Sequence, residues 1–393
     1  MTTIIRAGGP HDLLALVPAL AGFRPERSIV CVAFRGSRSA GVLRHDLPRR
    51  ARDRSAVTDA IIGTLCRITG VDAVVPIVYT DATFAGAAGI PERALLNLVV
   101  RRAEQAGFHV RDALCRAADA WGSLLDPDDP LMGHPLTLID ESPAARQAPD
   151  ATARLGSPSS VGELPEPDPA MARAIASELA ALADEQSIEA RLVRLGANVD
   201  PVELVETLAA SGVSKHPPLR LAWFLHLAER PPVRDAMVLQ FAFGPAIGEA
   251  ALLDAEETAV RAERHGLTVG ELVRRDDEHG MLDDTTDLLS RLLLGQSSLR
   301  PDARRVERAV AVLRTTIAAA PASSRCGALC IAAWLCWSIG RGSAAGVLLD
   351  QAVAIDPDHT MAGLLSQFIG SGALPEWAFA EPEPAAMRPV SAP

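Results

Sequence analysis

Apolar residues recur along this chain in two rhythms, and the change from one to the other divides it. Through the first 140 residues, short apolar runs alternate with segments of helical period. Residues 29–34 form an apolar run, and residues 41–47 pair with it as a hairpin across a turn at 36–40. Apolar positions 57, 61, 62, 65 and 68 share a face and predict a helix over 57–69. Residues 72–79 are a continuous Val/Ile-rich run, the pattern of a strand covered on both faces. Residues 91–106 read as a helix, with Pro91 at its start and Gly107 just past its end. Segments 108–115 and 136–139 read as further strands. A hairpin followed by βαβ-like units predicts an α/β N-terminal domain with a mixed sheet, over residues 1–140.

Residues 141–169 lose that periodicity, are rich in Pro and Ser, and predict a linker. From residue 170 the rhythm is helical throughout. Met171, Ile175, Leu179 and Leu182 lie on one stripe, Asp200-Pro201 opens a helix, and Pro231-Pro232 divides two more within 217–243. Thr268 and Glu271 have the spacing of a capping box, in which hydroxyl and carboxylate each satisfy an orphan backbone N–H. Residues 307–321 and 343–357 echo each other. In the second copy, Ala333, Ala345, Ala352 and Pro357 fall where two antiparallel helices need small residues and a terminating proline. This spacing predicts an all-α domain over 170–377 containing a tetratricopeptide-like helical hairpin. Residues 378–393, rich in Pro, Ala and Glu, predict a disordered tail.

Composition narrows the functional classes. The chain has 393 residues and a net charge of −11, so as a whole it repels nucleic acid and anionic membrane. Aromatics make up only 4%, which favours close-packed helices over aromatic-lined cavities. The opening residues lack the pattern of a secretory signal, and the longest apolar run, 328–339, is too short to span a bilayer. A cytoplasmic protein with six reduced cysteines is expected.

Signatures of familiar chemistry are missing or explained by local structure. There is no G-x-G-x-x-G, P-loop or G-x-S-x-G pattern, so no cofactor is expected. No histidine has zinc-type spacing, and no metal is expected. Asp283-Asp284-Thr285-Thr286-Asp287 spells an acidic motif known for holding magnesium diphosphate, but acids opening a helix are expected from its dipole alone. Asp126, Asp128 and Asp129 read as a turn, because Pro130 and Thr137 stand where a calcium loop needs ligands. Cys326, Cys330 and Cys336 sit in an apolar segment and read as core.

Two polar groupings remain. Between Arg24 and Arg54 there are nine arginines against three acids. Arg35, Arg38, Arg49, Arg50 and Arg52 form a candidate basic patch there, although Phe34 is the only ring available to stack a base, and nucleic-acid contact is disfavoured. The other grouping lies at strand ends. Arg44 and Asp46 close one strand, and Tyr79 and Asp81 end another. If those strands are neighbours, the four residues line a cleft with Trp121 and Ser123 nearby.

The block His11-Asp12-Leu13-Leu14 … Val17-Pro18 … Gly22-Phe23-Arg24-Pro25-Glu26-Arg27-Ser28-Ile29-Val30 resembles the opening of an actinobacterial family, domain of unknown function 4192. The likeness continues through Arg44-x-Asp46-Leu47-Pro48, Pro232-Val233-Arg234-Asp235 and Ala333-Trp334 … Ala352 … Asp356-Pro357. Many relatives have a Trp-Trp-Ser-Tyr segment followed by paired cysteines. This chain instead reads Trp121-Gly122-Ser123-Leu124-Leu125-Asp126 with no cysteine between Asp126 and Leu136, so a thiol or metal role there does not transfer. The resemblance implies no reaction and no ligand. The expectation from the sequence is a cytoplasmic binding or regulatory module, since no known catalytic signature is present. Its α/β domain takes a small molecule and its helical domain meets a protein partner. The alternative is an enzyme using the strand-end residues, and a weaker one is nucleic-acid contact through the basic hairpin.

Overall fold

The computed structural model describes residues 7–147, 155–157, 160–212 and 215–380. The chain forms two compact units, one of residues 1–161 with 379–393, the other of residues 162–378.

The first unit is a seven-stranded mixed sheet with helices on both faces. Its strands are β1 (Ser28–Arg35), β2 (Arg38–Asp46), β3 (Ala73–Tyr79), β4 (His109–Val110), β5 (Leu114–Arg116), β6 (Ala120–Ser123) and β7 (His134–Pro135). Their order is β2-β1-β3-β5-β6-β7, with β4 also on β3. The hairpin of β1 and β2 turns on two residues, Gly36 and Ser37, rather than on the five expected. Gly36 adopts φ +51, a conformation open to glycine without strain, and a bulge between Ala33 and Phe34 absorbs the difference in register. Every residue of β3 is buried, as its unbroken apolar run implies.

One face of the sheet packs on α2 (Arg54–Arg67) and α4 (Arg93–Gln105), which bury Ile61, Leu65, Leu95 and Val99 against Ile29, Cys31, Val74 and Val78. Between these two helices α3 (Phe84–Ala87) adds a single turn. The opposite face is covered by α1 (Pro10–Ala21), whose Leu14 and Val17 meet Val30, Val32, Val75 and Ile77. Residues 136–139, expected as a strand, form part of a short helix, α5 (Thr137–Asp140), because Leu136 and Ile139 stand three apart and turn together onto the α1 face. The segment expected as linker from 141 begins with a helix as well. In α6 (Pro143–Gln147), Ala144 is fully buried and its N–H donates to Asp12 on α1. The unit also receives Phe379, whose ring lies 4.0 Å from the Arg67 guanidinium. Of the expected tail, residues 381–393 lie outside the described residues.

The second unit is helical. Five of its helices begin on proline, where the missing N–H costs nothing: α7 (Pro169–Leu182), α9 (Pro201–Ala210), α10 (Pro218–Ala228), α11 (Pro231–Phe243) and α12 (Pro245–His265). The other helices are α8 (Glu185–Leu195), α13 (Val269–Glu278), α14 (Asp284–Leu293), α15 (Ala303–Ala319), α16 (Cys326–Ser338), α17 (Gly342–Ile355) and α18 (Thr360–Gly370). Both halves of the capping box form at Thr268 and Glu271. The acidic run opening α14 is also a cap, since Asp283 accepts the N–H groups of Thr285 and Thr286. All thirteen residues of α16 are buried, so it is the central rod of a bundle. Ala333 on α16 and Ala345 and Ala352 on α17 have no exposed surface, which lets these two helices approach closely. Around them Trp334, Trp337, Trp377, Phe243 and Phe368 form one aromatic cluster. Among the described residues no helix is long and apolar enough to cross a membrane.

Candidate functional site

Pairing in the sheet aligns a transverse row of polar side chains. Ser28, at the start of β1, stands opposite Asp46 on β2 and opposite Tyr79 on β3. Tyr79 aligns with Arg116 on β5, Arg116 with Trp121 on β6, and Trp121 with His134 on β7. Paired residues project to the same side of a sheet, and alternation assigns this row to the α1 face. One row inward the same face is mostly apolar, with Val30, Ile77 and Leu114, but it also holds Arg44 opposite Val30. The polar row is the rim of the sheet, where the mutually parallel strands β2, β3 and β5 end. Ligands of open α/β sheets gather at that edge.

Several of these groups lack partners. Ser28 is fully buried, and Tyr79 and Trp121 are 5% and 4% exposed. Yet Ser28 Oγ, Tyr79 Oη, Trp121 Nε1 and Arg44 Nε have no hydrogen-bond partner among the described residues. Trp121 is exceptional here. The other four of the five tryptophans each donate their indole N–H to a carbonyl: Trp223 to Val199, Trp334 to Leu293, Trp337 to Ala373 and Trp377 to Ser338. Burial pushes the Tyr79 phenol well above its ordinary range, while the nearby Arg116 pulls it back in part. It is therefore a neutral hydroxyl at any physiological pH. Arg44 spends one nitrogen on Asp46, and its guanidinium lies 6.0 Å from the Phe23 ring. Burial, with the charge of Arg44, lowers the pKa of His45.

Neighbouring elements hold Trp121 in place. His134 stacks on it with ring centroids 4.6 Å apart, and His11, at the start of α1, lies 6.2 Å away. Asp129 accepts the Ser123 N–H at 3.0 Å and lies 3.3 Å from His134 Nε2. Its pKa is raised, chiefly by burial. Gly122 makes this possible, because a Cβ there would come within 2.5 Å of Asp129 Oδ2 and 3.1 Å of Phe84. On α1, Asp12 is buried and accepts the N–H groups of Gly8 at 2.8 Å and Ala144 at 3.1 Å. Burial would raise its pKa, but those N–H groups and His11 hold it below the ordinary range.

The residues singled out in the sequence are only partly brought together. Arg44, Tyr79 and Trp121 share the α1 face, although β1 lies between β2 and β3, so the two strands are not neighbours. Asp46 joins the rim, but its side chain is 81% exposed and paired with Arg44. Asp81, 80% exposed, lies 3.8 Å from Arg27 and points to solvent rather than to the row. Ser123 is committed elsewhere, donating its hydroxyl to Asp112. The proposed basic patch divides. Arg35 and Arg38 face each other at the hairpin tip, whereas Arg49, Arg50 and Arg52 follow the far end of β2, a strand of nine residues that puts them more than about 25 Å away along it. A hairpin straightens its strands and holds their ends apart, which a count of arginines along the sequence cannot register. Ser28, Arg116, His134 and His11 were not anticipated. The available signal for Ser28 was a polar residue opening an apolar strand in phase with Val30 and Val32.

A family model described as a domain of unknown function, DUF4192, matches residues 10–264 and 286–376, covering most of both units. The chain belongs to the DUF4192 family. The match begins at the first residue of α1, so α1 and every member of the polar row fall within the DUF4192 region. No curated protein and no solved structure gives a significant match to this DUF4192 chain. Among its described residues no group of three or more His, Cys, Asp or Glu side chains is arranged to hold a metal ion.

Proposed function

We propose that this DUF4192 protein is a binding module whose α/β unit takes a small molecule at the polar rim beneath α1. The observation that supports this is the set of buried, unpartnered polar atoms on Ser28, Tyr79, Trp121 and Arg44. Leaving a buried donor unpaired costs about 1–3 kcal/mol. Four such atoms on one face of one sheet are a concentrated cost, and a ligand bringing acceptors offsets it on binding. The pairing of every other indole N–H makes the exception at Trp121 specific to this site.

Binding is favoured over catalysis by the state of the groups nearby. Asp46 and Asp81, the strand-end carboxylates offered by the sequence for a general-base role, are exposed and paired with arginines. Tyr79 is too weak an acid to act as a nucleophile near neutral pH. A regulatory role with the helical unit meeting a protein partner remains the companion proposal. Its support is the exposure of Leu253 and Val260, seven residues apart on one face of α12.

Thermal unfolding of the full chain against a panel of small metabolites tests the ligand reading. A compound at a hundred times its dissociation constant adds about 2.7 kcal/mol, and each kcal/mol moves a midpoint by roughly 2–4 °C. A shift seen with the wild type and lost in Tyr79→Phe and Ser28→Ala is the expected result. No shift from any compound, or one that survives both substitutions, counts against the rim as the site.

A further inference from the structure

We infer that the ligand of this rim presents an oxyanion, a carboxylate or a phosphate group, to Ser28, Tyr79 and Trp121. The inference rests on the rim being a ligand site and adds the chemical class of what it holds. Hydrogen-bond polarity comes first. Trp121 Nε1 and Arg44 Nε can only donate. The two hydroxyls, Ser28 Oγ and Tyr79 Oη, accept no N–H from the described residues, and the Tyr79 phenol keeps its hydrogen at physiological pH. A ligand bringing acceptors therefore suits this row, which crosses four strands from Ser28 on β1 to Trp121 on β6, and a group with several lone pairs can serve neighbouring members of it at once. Neutral donors fixed in a buried site gain most when the acceptor is charged, since a charged partner roughly doubles the strength of a hydrogen bond.

Charge points the same way. The chain as a whole carries −11, yet its sheet rim is arginine-rich. Arg27 precedes β1, Arg44 and Arg116 lie on β2 and β5, and Arg49 and Arg50 follow β2. The acids at the same edge are Glu26, Asp46, Asp81 and, in the turn between β5 and β6, Asp119, which accepts the Phe84 N–H. Of these, Asp46 is spent on Arg44 and Asp81 on Arg27. Arg116 sits within the row beside Tyr79, is exposed, and makes no ion pair or side-chain hydrogen bond among the described residues. Asp12, the buried acid of α1, does not fill the donors; its oxygens take backbone N–H groups from Gly8 and Ala144 instead. The positive groups are thus in surplus where the unpaired donors are.

The test is isothermal titration and thermal unfolding of the full chain with three sets of probes. One is carboxylates (succinate, citrate), the second phosphates (inorganic phosphate, glycerol phosphate), and the third neutral or cationic counterparts (glycerol, glucose, spermidine). The expected result is binding by one anion set and none by the third, with the set that binds identifying carboxylate or phosphate. Tyr79→Phe should weaken that binding at least tenfold. Arg116→Gln, on an exposed side chain that does not threaten folding, should weaken it several-fold and reduce its dependence on salt. Binding of a neutral or cationic probe that Tyr79→Phe abolishes would keep the rim as a ligand site and overturn the oxyanion. Anion binding indifferent to Tyr79→Phe, Ser28→Ala and Arg116→Gln would put the anion elsewhere on the molecule and overturn it too. Silence from all three sets would overturn the oxyanion together with the binding reading beneath it.

Discussion

Tyr79 is the residue at which stability and function are expected to part. Its phenol oxygen is buried with no partner, so deleting it removes a cost and no contact. Tyr79→Phe is expected to stabilise the ligand-free protein by about 1–3 kcal/mol, read as a higher midpoint of thermal unfolding. A clear loss of stability would mean that the hydroxyl is satisfied in solution. Asp12 is the opposite kind of residue. Its carboxylate ties the loop before α1 and the start of α6 to one point, and removing it strands two N–H groups. Asp12→Ala is expected to cost about 1–3 kcal/mol. Because the folded protein holds this carboxyl below its ordinary range, its contribution is present at neutral pH and is lost as the pH falls below about 4. Denaturant titrations at pH 7 and pH 3 check this: the penalty of Asp12→Ala should shrink at the lower pH. An equal penalty at both would remove the charge from the explanation.

Among the elements, α16 is the most constrained, and one glycine shows why. A Cβ on Gly327 would meet the Ala228 carbonyl oxygen at 2.1 Å, where α16 crosses the end of α10. Backbone cannot step aside as a side-chain tip can, so Gly327→Ala is expected to destabilise the helical unit by about 1–3 kcal/mol or more. Gly346 in α17 has nothing within 4 Å of its missing Cβ, and Gly346→Ala should be neutral or gain up to about 1 kcal/mol from helix propensity. Comparing the two midpoints by circular dichroism separates close approach from propensity, and equal effects would refute the distinction. Legibility in the sequence follows element length. The strand β3 and the helices α2 and α4 were readable because their periodicity lasts for several residues, and the helix starts because proline and aspartate mark them. The strands β5, β6 and β7 are two to four residues long, too short for any period, and β6 contains Gly122 in place of a β-branched residue. The site was legible in part for the same reason. Arg44, Tyr79 and Trp121 stood out as polar-tipped residues beside apolar runs. Arg116 and His134 acquire meaning only from the strands they pair with, and Ser28 only from the parity of β1.

For the molecule as a whole, the arrangement of charge decides what it avoids. The arginines of the candidate basic patch are split between the two ends of a hairpin, and the chain carries −11 overall. No thermal shift or retention is therefore expected with DNA or RNA oligonucleotides at 150 mM salt, about physiological strength. Retention that disappears in a triple substitution of Arg49, Arg50 and Arg52 would restore the nucleic-acid reading. The α/β unit also draws on both ends of the sequence, since Phe379 rests on Arg67 while the helical unit is encoded between them. On the ribosome, the strands of the sheet emerge before the helical unit, and Phe379 emerges after it. The first unit is thus completed only once the second has been made, and a truncation just before Phe379 would reach back to Arg67 in the sheet-bearing unit.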